Sequence, residues 1–181
     1  MGKFLFSLGA AVFVLFAVPA YPQAKGDAWV RATSLDGYVS AETPCSLQQI
    51  ASLNRSPPTA VGAFQLAPNA RVVCADRNFI AFVGWIEDTA QSESSAFDQM
   101  LRSGPMVDSS GSAIQVISLN GRRAVFNRNV QQGIVAQTSI IEVSHTRLIV
   151  AVAGGLPNSE LSITAQNALV DHFVNSIQVD Q

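Results

Sequence analysis

Eight consecutive residues, Phe79-Ile80-Ala81-Phe82-Val83-Gly84-Trp85-Ile86, carry neither a charge nor a strongly polar side chain. Successive side chains of a strand point to opposite faces, so a run like this leaves no face to offer water. Its β-branched and aromatic residues suit a strand. The run therefore predicts a central strand covered from both sides, and with it a three-layer arrangement.

The neighbouring segments extend that sheet. Residues 71–75 read as a strand joined to the central one by the turn Asp76-Arg77-Asn78. Residues 61–66 alternate poorly and are a third strand candidate. Nearer the start, residues 29–33 and 38–42 flank Leu35-Asp36-Gly37, where glycine accepts the positive φ of a hairpin turn, and Pro44 ends the second strand. Between residues 46 and 60, Leu47, Ile50, Ala51 and Leu53 have rough helical spacing, and Pro57-Pro58 stops any helix before Ser56. A short helix followed by a surface loop is expected there.

The hydrophobic period then changes. Phe97, Met100 and Leu101 fall at i, i+3 and i+4, with Asp88, Thr89 or Ser92 as caps and Gly104-Pro105 as the stop, which predicts a helix of about three turns. Residues 114–119 and 122–127 bracket Asn120-Gly121, a strong hairpin signal. Residues 134–143 and 147–153 form another hairpin across Ser144-His145-Thr146. Gly154-Gly155-Leu156-Pro157 is expected to break the sheet. Asn158 or Ser159 then caps a helix running to about Asn175, with Ala165, Leu169 and Phe173 on its inner face, and residues 176–179 close as a short strand. Most connections are too short for parallel crossovers. The expected fold class is α+β, a mainly antiparallel sheet with helices packed on it as an α/β/α sandwich, in a single domain over residues 28–181.

The chain opens with an address label. Lys3 precedes an apolar run of fifteen residues, 4–18, and Val18-Pro19-Ala20 offers the small or apolar side chains read by a signal peptidase. The run falls short of the ~20 residues a membrane-crossing helix needs, so residues 1–20 are expected to be a signal peptide cut between Ala20 and Tyr21, with an uncleaved anchor as the alternative. Residues 21–27 follow as a flexible tail. Cleavage would leave 161 residues, enough to bury about 70% of the unfolded surface without a metal or dense crosslinking. Of 11 basic residues only Lys3 departs, leaving 10 against 13 acidic and a net charge of −3. That balance argues against a nucleic-acid partner. No stable membrane span is expected after cleavage, and the destination is periplasmic or secreted.

Two cysteines remain, Cys45 and Cys74. An even count in an exported chain favours a disulfide, two buried free thiols being the alternative. Their spacing resembles neither a zinc site nor a Cys-x-x-Cys redox pair.

Catalytic patterns are thin. A Gly-x-Ser-x-Gly elbow is absent, and Ser110-Gly111-Ser112 has no neighbouring base. His145 sits at a predicted hairpin tip, and His172 flanks the core or faces solvent beside Phe173. Two histidines 27 positions apart with scattered acids match no metal spacing. Glu87-Asp88 is the adjacent acidic pair at a strand end, suited to favouring the next helix through its dipole. Gly154-Gly155 lacks the lysine of a phosphate loop, and Asn54-Arg55-Ser56 is discounted as a glycosylation acceptor because Pro57 follows. Arg122, Arg123 and Arg128 read as a solvated hairpin end rather than a phosphate site. Trp29 and Trp85 read as core or sheet-face residues rather than a ligand platform. No catalytic, cofactor or metal residues are assigned. The expected function is an exported, non-catalytic accessory or binding protein of the bacterial envelope. Its partner would be an unknown protein or envelope ligand. A small periplasmic hydrolase-like enzyme, with a site assembled from distant residues, is the alternative.

Two stretches carry a family resemblance. Trp29 followed by Ser34-Leu35-Asp36-Gly37-Tyr38-Val39-Ser40-Ala41-Glu42-Thr43-Pro44 looks like the opening of many small exported bacterial proteins. Ala168-Leu169-Val170-Asp171-His172-Phe173-Val174-Asn175-Ser176-Ile177 is similar to their closing helix and its Phe-x-x-Ser step into a last strand. With the Asn120-Gly121 hairpin between them, the chain resembles the PsbP-like α/β/α sandwich group. The resemblance implies an antiparallel sheet between helices and an accessory or binding role, and it brings no catalytic residues. The cysteine pair is not a general mark of that group.

Overall fold

The computed structural model describes residues 29–55, 70–87, 94–103, 116–157 and 159–180. The expected signal peptide with its Ala20–Tyr21 junction, the tail at 21–27, the strand at 61–66, the proposed caps Asp88, Thr89, Ser92 and Asn158, the stop at Gly104-Pro105 and the Ser110-Gly111-Ser112 loop lie outside those residues.

In chain order the elements are β1 (Val30–Thr33), β2 (Val39–Thr43), α1 (Leu47–Arg55), β3 (Arg71–Ala75), β4 (Phe79–Glu87), α2 (Ala96–Ser103), β5 (Val116–Leu119), β6 (Arg122–Gln131), β7 (Ile134–Glu142), β8 (Arg147–Gly155), α3 (Ile163–Asn175) and β9 (Gln178–Val179). Six strands form one antiparallel sheet in the order β3-β4-β8-β7-β6-β5, and β1-β2-β9 form a second. The fold is a single α+β domain, as the sequence predicts.

The central position of β4 follows from its two apolar faces. It pairs with β3 on one side and along its whole length with β8 on the other, from Phe79↔Gly155 to Glu87↔Arg147. Phe79, Ala81 and Val83 enter a core shared with Val39 and Ala41 of the small sheet and with Val170 and Phe173 of α3. The opposite face carries Val125, Ile140 and Leu148, against which Phe97 of α2 is fully buried. Helices thus cover both faces. The small sheet, which the sequence reading did not separate from the large one, lies on the α3 side.

Each helix starts on a serine. Ser46 Oγ accepts from the Gln49 N–H at 3.3 Å while Gln49 Oε1 accepts from the Ser46 N–H at 2.8 Å, a reciprocal capping box. Ser95 Oγ caps α2 by accepting from Asp98 N–H at 3.2 Å. Ser162 caps α3 by accepting from Ala165 N–H. These caps correct two expectations. The helix carrying Phe97 is eight residues long rather than three turns or so, and α3 begins at Ile163, later than Ser159 would place it.

The inner face of α3 is also rotated from the expected one. Gln166, Val170, Phe173 and Val174 are buried, while Ala165 and Leu169 are half-buried at its margin. Phe173 keeps its inward place. Gly154 and Gly155, expected to break the sheet, instead complete β8 opposite Ile80 and Phe79. They are glycines because other atoms occupy the space above them. A β-carbon on Gly154 would stand 2.6 Å from the Val135 carbonyl oxygen. The strand starting at Arg122 runs on to Gln131 and returns through a second tight turn, Gln132 (φ 51°) and Gly133 (φ 78°), which matches the Asn120-Gly121 turn in form.

At the outer edge of the large sheet, β3 is covered by α1. Asn54 is buried there and its Oδ1 accepts from the Val73 N–H at 3.1 Å, while Arg71 donates to the Asn54 carbonyl at 3.1 Å. Cys45, just before α1, is bonded to Cys74 of β3, and both are fully buried. The pair expected from the sequence therefore ties the start of α1 to the edge strand.

Candidate functional site

An open groove of about 240 Å³ lies where the outer strands pass beside α3. It arises because the sheet extends sideways beyond the helix that covers it. Helix α3 packs over β7 and β8, and β6 and β5 extend past it with their inner-face side chains only partly covered. Ile117, Leu119 and Ala124 form an apolar floor, Val174 lines the helix side, and Phe126 remains 39% exposed. Val130, further along the same face of β6, is also exposed.

The polar wall of the groove is centred on Arg128. Its Nε donates to Gln137 Oε1 at 2.7 Å, one terminal nitrogen donates to Asn167 Oδ1 at 3.1 Å, and the other pairs with Asp171. Gln137 is buried and donates onward to Ser139 Oγ at 2.9 Å. These groups are committed to one another. The groove therefore offers apolar area edged by a neutralised ion pair.

The three arginines singled out in the sequence do not converge. Arg122 donates to the Val143 carbonyl at 3.1 Å, Arg123 pairs with Asp98 and Glu142 at 2.5 and 3.1 Å, and Arg128 lies under α3. The side chains of Arg122 and Arg123 point to opposite faces of β6, as neighbours on a strand must. Arg123 and the Ser95 hydroxyl hold the Asp98 carboxyl below the usual carboxylate range.

Trp85 stands in a cluster at the far end of β4. Arg147 lies with its guanidinium carbon 4.4 Å from the Trp85 ring centre and 4.6 Å from that of Tyr38, and it also pairs with Glu87 at 3.2 Å. Glu87 thus serves Arg147. The Trp85 indole donates to Asp36 Oδ2 at 2.7 Å. Burial alone would raise the Asp36 carboxyl, but hydrogen bonds from the Ser34 hydroxyl, the Tyr38 N–H and the Trp85 indole outweigh it and hold the group below its ordinary value. Each ring is thus used to fasten the β1–β2 turn to the large sheet.

His145 is exposed at the β7–β8 turn, and its carbonyl accepts from the Ala96 N–H at 2.8 Å. His172 is exposed on α3 and meets an acid: its Nε2 lies 2.7 Å from Glu42 Oε2. Its ring stacks on Trp29, with centres 4.0 Å apart. The His172–Glu42 contact joins residues 130 positions apart, so no local pattern could have revealed it. The same holds for Arg128 and Asp171, which are 43 apart. Among the described residues no three His, Cys, Asp or Glu side chains gather as a metal site. Nor is any helix among them long and apolar enough to cross a membrane.

The sequence matches no protein-family model and no curated protein. Among solved structures, a crystal structure of a protein from Bacteroides thetaiotaomicron VPI-5482 at 1.50 Å resolution is similar over 83% of this chain, with TM-score 0.44 and 5% identity. The alignment covers 48% of that protein, so this chain spans about half its length.

Proposed function

We propose that this chain is an exported, non-catalytic binding or accessory protein of the bacterial envelope, of the PsbP-like kind, and that the groove beside α3 is its contact surface. The observation that carries the reading is the groove itself: an apolar floor on which Ile117 and Leu119 are partly exposed, with Phe126 at its mouth and every named polar head in its wall already paired. Exposed apolar area rimmed by polar groups is the usual signature of a contact surface. The buried Cys45–Cys74 bond is consistent with an oxidising compartment. Placement in the periplasm or outside the cell, and removal of residues 1–20, belong to the same proposal.

The test is co-purification of the tagged protein from the envelope fraction, compared with a Phe126→Asp variant. Phe126 is partly exposed, so the variant should fold. Loss of a specific co-purifying component supports the groove, and identical recovery from both proteins counts against it. The enzyme reading rests on a different observation, the contact between His172 and Glu42. That pair lies at an exposed surface rather than in a deep pocket, which favours the binding role. Hydrolysis of model esters by the wild type, abolished in His172→Ala, would reverse the preference.

A further inference from the structure

We propose that the groove beside α3 takes an uncharged acyl ester, its carbonyl oxygen held by Ser139 and Gln137 and its short chain laid on the apolar floor. The proposal rests on the groove being a contact surface and names what that surface holds. Strand β7 brings the two side chains together: Gln137 and Ser139 are two residues apart and so share the face that α3 covers. Their cross-strand neighbours on β6 are Arg128 and Phe126. On β8 they face Ala153 and Ala151, whose methyl groups offer no acceptor. Gln137 is 4% exposed and Ser139 2%, yet both line the groove.

Each polar head here has a partner, but the hydrogens outnumber the acceptors. Arg128 Nε donates to Gln137 Oε1 at 2.7 Å, which fixes the amide with its nitrogen toward Ser139. That nitrogen carries two hydrogens and spends one on Ser139 Oγ at 2.9 Å. The other amide hydrogen and the Ser139 hydroxyl hydrogen meet no acceptor among the described residues. A buried donor gives up its hydration and gains nothing unless an oxygen reaches it, so neighbouring donors of this kind call for an acceptor from outside the fold.

A carbonyl oxygen answers that call, because its two lone pairs can accept from both. Charge decides which carbonyl. Arg128 is already neutralised by Asp171, so the wall has no net charge to offset a carboxylate stripped of its water, and an uncharged carbonyl is far less costly to bury. An ammonium would set donors against donors. The rest of the ligand must be apolar to lie against Ile117, Leu119, Ala124 and Phe126. At a water's share of ~30 Å³, the groove's volume of about 240 Å³ holds about eight non-hydrogen atoms, the size of a short acyl ester or of the ester end of a longer molecule.

The experiment is nitrogen-15 NMR titration of the purified protein with three probes of similar length. They are methyl pentanoate, hexanoate (the carboxylate with the same carbons and oxygens) and hexylammonium, which only donates. Methyl pentanoate should shift the Ser139 and Phe126 amides and bind about tenfold more tightly than either charged probe, the size expected of neutral hydrogen bonds. Gln137→Glu should cut that affinity about tenfold, because its carboxylate accepts from both Arg128 and Ser139 and leaves no donor for the ester. Flotation with phosphatidylcholine vesicles, lost in Phe126→Asp, would assign the ester to a lipid; binding of methyl pentanoate without flotation assigns it to a soluble ester. Equal affinity for all three probes overturns the proposal, as does undiminished ester affinity in Gln137→Glu. Should methyl pentanoate leave both amides in place while Phe126→Asp still loses its envelope component, the ester is refuted and the contact surface stands.

Discussion

Gln166 sits where Gly155 would carry a side chain: a β-carbon on that glycine would fall 2.1 Å from Gln166 Oε1. The amide is in turn fully used, with Oε1 accepting from the Val135 N–H at 2.9 Å and Nε2 donating to the Gly133 and Leu161 carbonyls at 3.0 Å each. One buried side chain thus ties the start of α3 to the β6–β7 turn across the last residue of β8.

Gly155→Ala should therefore cost about 2 to 4 kcal/mol, combining overpacking with disturbed buried hydrogen bonds. Gln166→Ala should cost about 1 to 3 kcal/mol because it strands the Val135 N–H. The double variant should be more stable than the sum of the two losses implies, since removing the amide frees the space the new methyl needs. Denaturant unfolding of the four proteins measures this coupling, and strict additivity would mean that Gln166 does not occupy that space.

The phase of α3 predicts a second contrast. Phe173→Ala removes a fully buried ring and should cost about 3 to 5 kcal/mol. Asp171→Ala loses an exposed partner of Arg128 and should stay within about 1 kcal/mol. Thermal or urea unfolding distinguishes them, and equal losses would place the buried face elsewhere.

The Cys45–Cys74 bond gives a third. Native protein should show no reactive thiol by alkylation until it is reduced. The crosslink spans 29 positions, for which chain entropy sets an upper stabilisation of about 3.6 kcal/mol. Reduction should lower the thermal midpoint without preventing folding, because the core around the bond is large. Quantitative alkylation of both cysteines in unreduced native protein would refute the crosslink.

Acid sensitivity at the β1–β2 turn is the fourth. The fold lowers the pKa of Asp36, so its contribution is complete above the ordinary carboxylate value near 3.9 and fades as pH falls through the lower folded value. Asp36→Asn should remove that part of the acid transition while weakening the turn at neutral pH. Trp85 fluorescence, read alongside global unfolding, reports the change because its indole is bonded to Asp36.

How far the sequence could be read depends on distance along the chain. Asn120-Gly121, Asp36-Gly37 and the two-faced apolar run at β4 were legible because the information sits within a few residues. The serine caps were equally local: Ser46 with Gln49 and Ser95 with Asp98 have capping-box spacing, and Ser95 marks the start of the second helix better than the caps expected for it. Gly154-Gly155 was misread because glycine signals a close approach as readily as a turn, and Gln166 supplies the approach from α3. The division into two sheets depends on the β1–β2 hairpin pairing with β9 rather than with the large sheet, a choice made across the whole domain that no local period encodes. The groove was invisible for the same reason, since it exists only where α3 leaves β5 and β6 uncovered.

The bond from Asn54 to Val73 has a consequence for how these molecules behave toward one another. Among the described residues strand β3 ends the six-stranded sheet, and an uncovered edge of that kind recruits strands from other chains. Asn54 occupies one of its outward N–H groups and α1 lies along it, while the disulfide keeps the helix from lifting away. A reduced chain can retain its core and still open this edge. Its failure would then be colloidal, appearing as concentration-dependent aggregation before any loss of fold, so the Cys45–Cys74 bond protects the solubility of a population as much as the stability of one molecule.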